Sequence, residues 1–394
     1  MMDVRRRVIA GIVVLPLVVA AGCGGGTPKA TPLPTVPSTT HFANSPTTST
    51  TTSLTTSTTS PSTPVPQGFE AASVTFVSPE MGWVLGTSCA GTSCAATLFR
   101  TDDAGKSWSA IPAPPIVGDV PGNDGEVRFA NAEDGWVVAR SSTAPYSQLW
   151  ATFDGGSQWH IVPFPAPVGN DTISDLETAN GVVYASFCGD PDRIGLSPVN
   201  VSDWTLSTTS LQIGAGPVCG LQIVLQGKDG WLMNVDRTVI DGAHLDNGLW
   251  TPWNPPCEDN AGPGELAASD PEHLVAVCEG GVYSGPAAVE MYSSSNGGAT
   301  FVLAPHSLPQ DDYGPCASPS PGVIIIGSSG QTDLIGSFDG GEQWSPEYSP
   351  PTGEGWQYVG FTTSTQGVAI QENGTVVMTF DGGHNWEPVN FPTT

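Results

Sequence analysis

From residue 68 onward the chain alternates short apolar runs with clusters of glycine, proline, serine, threonine and aspartate. Val74-Thr75-Phe76 leads to a Gly82-Trp83 step, Val127-Arg128-Phe129 to Gly135-Trp136, and Ile223-Val224-Leu225 to Gly230-Trp231. Weaker counterparts of the same step occur at Gly181-Val182, His273-Leu274, Gly322-Val323 and Gly367-Val368. Short apolar runs bounded by turn formers, without long stretches of helical periodicity, predict many strands joined by tight turns and therefore an all-β domain.

Before residue 68 the pattern is different. Val8 to Ala21 is a continuous apolar stretch broken only by Pro16, and it follows the basic cluster Arg5-Arg6-Arg7. It falls short of the roughly 20 apolar residues that a membrane-spanning helix needs, and it reads as an export signal over residues 1–22. It ends in Ala20-Ala21-Gly22-Cys23. Small residues before a cysteine at this place resemble the lipobox of bacterial lipoproteins. That resemblance implies diacylglyceryl transfer to the Cys23 thiol, cleavage before it, and a lipid anchor on the outer face of the cell membrane. An ordinary signal peptide cut near Ala21, with Cys23 incidental, is the alternative. Residues 24–67 are dominated by Thr, Ser and Pro and carry no hydrophobic period, so 23–67 is expected to be a disordered stalk. A flexible coil of that length spans on the order of 35–40 Å.

Within 68–394 a second pattern repeats. Thr101-Asp102-Asp103-Ala104-Gly105-Lys106-Ser107-Trp108 recurs at Thr152 to Trp159, including Asp154, at Ser337 to Trp344, including Asp339, and at Thr379 to Trp386, including Asp381. A softer copy, Ser294 to Phe301, carries Asn296 in the Asp position, and degenerate copies end at Trp204 and near Trp250. These aromatic positions are spaced by 51, 45, 46, 51, 43 and 42 residues. A repeat of 40–50 residues holding about four short strands is the signature of a β-propeller. Counting both signals predicts a seven-bladed β-propeller of four-stranded antiparallel blades. The unit resembles the Asp box, or BNR repeat, of sialidase-type propellers, and the repeats also resemble the photosystem II stability/assembly factor family, whose propellers bind proteins. In each box the Asp and Ser/Thr side chains are expected to satisfy backbone N–H groups of a hairpin turn, a Gly to take positive φ, and the Trp to bury its ring. The resemblance makes Asp103, Asp154, Asp339 and Asp381 structural rather than catalytic.

Charge narrows the partners. The chain has 11 Lys+Arg against 38 Asp+Glu. Removing residues 1–22 takes away three arginines and one aspartate and leaves 8 against 37, a net charge of −29. Such a surface repels nucleic acid and anionic lipid headgroups. The six histidines and the cysteines form no cluster at metal-ligand spacing, so no metal or cofactor is expected.

Seven cysteines follow Cys23, and in an exported chain they read as disulfides. Cys89 and Cys94 flank a short loop and are expected to pair. Cys188 with Cys219, and Cys278 with Cys316, hold equivalent positions at the end of a second strand and the start of the next blade's first strand, so each pair is expected to staple neighbouring blades. Cys257 is left over as a free thiol or an alternative partner.

Arg140, Arg193 and Arg237 all fall in second-to-third-strand loops of consecutive blades, with Asp124, Glu126 and Asp171 near strand starts on the same side. They are either a clamp for an anionic glycan or solvated loop charges. Tyr146, Trp253, Tyr313 and Trp356 are either contact aromatics or core. The sequence therefore predicts a monomeric, membrane-anchored extracytoplasmic binding or assembly module for a protein or cell-wall glycan, with a sialidase-like glycoside hydrolase as the alternative.

Overall fold

The computed structural model describes residues 68–90, 93–116, 125–139, 147–163, 172–188, 193–208, 220–236, 238–257, 262–280, 289–306, 308, 314–328, 333–351, 353–389 and 391. They form seven four-stranded antiparallel sheets, each made of four strands consecutive in sequence. The protein is a seven-bladed β-propeller, and its described residues contain no α-helix.

The first strands of the blades are Phe69–Phe76, Gly125–Phe129, Thr172–Ala179, Gly220–Gln226, Gly264–Ala268, Cys316–Ser320 and Trp356–Phe361. They pack against one another around the axis. The second strands are almost fully buried, as in Asp134–Ala139, because both of their faces meet neighbouring blades. The fourth strands are short exposed edges, reduced to His160–Ile161 in blade two and Val302–Leu303 in blade five. Short edges offer little template for pairing with other chains.

The Gly-aromatic step is a packing device. A Cβ on Gly82 would stand 2.6 Å from the Phe76 ring, and one on Gly135 would stand 2.4 Å from Phe129. The missing side chain lets the preceding strand's phenylalanine lie across the step, and Trp83 then stacks on Phe129 of the next blade at 3.7 Å.

The five boxes share one geometry. In blade two, Thr152 Oγ1 donates to Asp154 Oδ1 at 2.9 Å and accepts from Gly156 N at 2.9 Å, while Gln158 N donates to Asp154 Oδ1 at 2.9 Å. The same triangle holds Asp103, Asn296, Asp339 and Asp381. Gly156 takes φ +94° and sits against Ile111 of blade one, so the turn also seals the joint between blades. Trp108 and Trp386 are buried as expected, whereas Trp159, Trp344 and Phe301 are half-buried. Blade four replaces the box with a two-residue Asn247-Gly248 turn, both residues at positive φ, between the paired Asp246 and Leu249. That explains the degenerate copy near Trp250.

The ring closes by packing between blades seven and one, with each blade keeping its own four strands. Val368, Ile370, Val376 and Met378 join Val74, Val84, Phe99 and Trp108 in one core. Phe391, just past the last blade, enters blade one against Phe69 at 5.5 Å and Trp108 at 5.8 Å.

Cys89 and Cys94 are bonded as predicted. The expected Cys278–Cys316 staple does not form. Cys278 is bonded to Cys257, and Cys316 is free. The reason is strand alternation. Leu274, Ala276 and Cys278 point to the core shared with blade four, alongside Trp231, Met233 and Cys257. Val275 and Val277 point the other way, to the core that Cys316 joins in blade six. The segment after Trp253 carries Cys257 over Gly264, where a Cβ would lie 2.7 Å from its Sγ. Cys219 and the side chain of Cys188 lie outside the described residues.

Candidate functional site

The axis of the ring is polar. Alternation along a first strand directs residues i and i+2 to the same face, which brings Glu126 and Arg128 of blade two to the axis beside Asp175 and Glu177 of blade three. Arg128 Nη2 meets Glu126 Oε1 at 3.0 Å, and its Nε meets Glu177 Oε1 at 3.2 Å. Its Nη1 donates to the Val127 carbonyl at 3.0 Å and to Ser73 Oγ at 3.4 Å. Carboxylate oxygens of Glu126, Asp175 and Glu177 all lie within 4.8 Å of one another.

Burial works against the Arg128 charge, but Glu177 and Glu126 outweigh it and raise the guanidinium's pKa well above its ordinary value. Asp175 is pushed well up by burial and then by the charges of Glu126 and Glu177. Burial also raises Glu177, and the nearby Arg128 offsets only part of the rise. One arginine thus stands among three carboxylates, so the group has a deficit of positive charge.

Other axial side chains hold the ring together. Ser73 Oγ accepts from Val127 N of the next blade at 3.1 Å. Ser174 and Asp175 accept from Leu221 N and Ile223 N at 2.7 and 2.6 Å. Gln222 accepts from Leu266 N at 3.0 Å, and Gln357 donates to the Ala71 carbonyl at 2.9 Å. Gln222 Nε2 also donates to Glu265 Oε2 at 2.6 Å. Burial pushes Glu265 up to about 7, and burial together with Glu265 raises the Cys316 thiol well above its usual range.

These groups line a cavity of 920 Å³ bounded by Arg128, Asp175, Glu177, Glu265, Tyr358 and Phe361, among others. A second recess of 590 Å³ shares Arg128 and Tyr358 and adds Glu126, Glu354 and Glu372. Six carboxylates therefore face one arginine across the two. A site built this way attracts a cation and disfavours an anion.

No protein-family model and no curated protein matches the chain. The fold is similar to that of YCF48. A structure described as YCF48 bound to D1 peptide aligns over 80% of this chain and 95% of its own, with a TM-score of 0.55 and 18% identity. YCF48 from Cyanidioschyzon merolae aligns over 81% of this chain and 97% of its own, with a TM-score of 0.53 and 14% identity. A polysaccharide lyase, PL25 ulvan lyase, aligns over 82% of this chain and 97% of its own, with a TM-score of 0.51 and 11% identity. At these identities the likeness concerns the fold.

Of the three arginines singled out in the sequence, Arg193 is buried at the start of a third strand, opposite Phe187 and Thr208, and is not part of the cavity wall. Arg140 and Arg237 lie outside the described residues, as do Cys23, Asp124, Asp171, Tyr146 and Tyr313. Glu126 does reach the axial group. Trp356 is core, and Trp253 bonds the Gly298 carbonyl of the next blade at 2.9 Å. Sequence reasoning passed over Arg128, Asp175, Glu177 and Glu265. The available signal was charge at i and i+2 inside first strands, at Glu126/Arg128 and Asp175/Glu177 in consecutive blades.

Proposed function

We propose that this chain is a non-enzymatic binding module, held at the outer face of the membrane by lipid on Cys23 and a 23–67 stalk. In this reading it docks a basic segment of a protein partner at the axial cavity. The observation that carries the reading is the cavity wall, where Asp175, Glu177 and Glu265 face one arginine that is already paired, with Glu126 in the adjoining recess. A Lys or Arg side chain entering there meets partly desolvated carboxylates, where a charge-assisted hydrogen bond is stronger than at the surface. The wall also offers Tyr358, whose ring face suits a cation. The similarly folded YCF48 with its D1 peptide lends support to a peptide as the ligand type.

An anionic glycan, the substrate class of the alternative hydrolase, is the poorer fit, because the same carboxylates repel it. A random peptide library selected on the full-length lipoprotein in neutral detergent tests the choice. Enrichment of Lys- and Arg-bearing peptides that compete for one site is expected. Enrichment indifferent to charge, or selective binding of acidic oligosaccharides instead, contradicts it.

A further inference from the structure

The two described disulfides sit in opposite environments. Cys257 and Cys278 are each 0% exposed, lie 21 residues apart, and pack with Trp231 and Met233 in the joint between blades four and five. Cys89 and Cys94 are both exposed and only 5 residues apart. They are direct partners across the hairpin of strands Gly82–Ala90 and Ser93–Thr101 in blade one. The first strand's pairing ends at Phe69 with Ser88, and the fourth strand covers only Leu98 to Arg100. The Cys89–Cys94 bond therefore lies near the end of the hairpin, one residue pair beyond the last pairing of the first strand.

A crosslink there does little for stability. The hairpin's own pairing already closes the short loop, and the entropic gain from a crosslink shrinks as the loop it closes gets shorter. No core residue depends on it, since neither cysteine belongs to the blade-one core around Val84, Phe99 and Trp108. Access is the other requirement for exchange, because an attacking thiolate must reach a sulfur. The exposed pair meets that requirement in the folded protein, while Cys257 and Cys278 meet it only after blades four and five separate.

We propose that Cys89–Cys94 is a thiol–disulfide exchange site open to extracytoplasmic dithiols, and that Cys257–Cys278 is a structural crosslink. One thiolate of the dithiol attacks either sulfur, and the S–S bond breaks, releasing the other cysteine as a thiolate that takes up a proton. The dithiol's second thiolate, its proton passed to solvent, then attacks the mixed disulfide and releases the remaining cysteine. The pair gains two electrons and two protons, and the dithiol leaves as a disulfide. The inference is independent of what the axial cavity binds.

The full-length lipoprotein, kept folded in neutral detergent and titrated with dithiothreitol, tests this by differential alkylation and mass spectrometry of each cysteine. Half-reduction of Cys89–Cys94 is expected at a dithiothreitol concentration at least about tenfold below that for Cys257–Cys278. The Cys89→Ser/Cys94→Ser variant should keep the wild-type thermal midpoint and its circular dichroism. Reduction of both bonds together, reduction of Cys89–Cys94 only as the protein unfolds, or a double variant that fails to fold would each overturn the proposal.

Discussion

Arg128 in the first strand of blade two bonds Glu177 in the first strand of blade three at 3.2 Å, and the same guanidinium holds Glu126 of its own strand at 3.0 Å. One partly buried cation therefore joins two blades at the axis and sets the charge of the cavity they wall. Arg128 has a structural role, and under the proposed function it also sets the charge that a ligand would meet.

Arg128→Met leaves the buried Glu126 and the partly buried Glu177 without their counter-charge. Breaking a buried ion pair from one side costs about 3–5 kcal/mol. Urea unfolding at neutral pH should show a loss toward or below the lower end of that range, since Glu177 keeps 29% side-chain exposure. The deficit should shrink in mild acid, because Glu177, already raised by burial, takes up a proton and no longer needs the arginine.

Glu265 gives a different pH signature. Its folded-state value is about 7, above the roughly 4.3 of an unfolded glutamate. Between those values the folded state keeps a proton that the unfolded state has lost, so this group makes stability fall as pH rises from about 4.3 to about 7. Glu265→Gln removes the effect and still accepts the Gln222 bond. The variant's melting temperature should exceed wild type at pH 8 and match it near pH 4. A constant difference across that range contradicts the assignment.

The boxes titrate in the opposite sense. Burial pushes Asp103 up, but hydrogen bonds from Ser107 and Thr101 outweigh it and lower the carboxyl below its ordinary value. Its stabilisation is present above the unfolded value of about 3.9 and fades as pH falls through the lower folded one. Asp103→Ala should cost about 1–2 kcal/mol in denaturant unfolding near neutral pH. It should leave ligand binding unchanged, because the turn lies outside the cavity wall. A binding defect in a folded Asp103→Ala protein would contradict the purely structural reading of the boxes.

The blade count was legible because it rests on chemistry that repeats locally. Thr152, Asp154, Gly156 and Trp159 fold one turn without help from distant residues, so their spacing survives in the sequence. Cys278 shows the limit. Its position along the strand was readable, but which face it occupies depends on the alternation that sends Val277 to blade six and Cys278 to blade four. The axial group was harder still. Arg128 and Glu177 lie 49 residues apart and are joined only when the ring forms, and each alone looks like an ordinary charge in a strand.

The anchor has its own test. An acidic propeller has no charge affinity for anionic headgroups, so under the proposed function retention at the membrane would rest on the lipid on Cys23. Cys23→Ser should move the protein from the membrane fraction to the medium. Continued sedimentation with membranes after a high-salt wash contradicts the proposed anchor.

The most direct test of the proposed basic-segment recognition is fluorescence anisotropy of a labelled Lys-Ala repeat peptide against the full-length protein in neutral detergent. Wild type is compared with Asp175→Asn/Glu177→Gln in the cavity and with Glu342→Gln, an exposed carboxylate outside it. The cavity variant, verified as folded, should bind about tenfold more weakly, with the Glu342→Gln control close to wild type. Unchanged affinity in the cavity variant, or an equal loss in the control, would mean that the peptide reads only the overall negative charge and that the axial carboxylates are not the site.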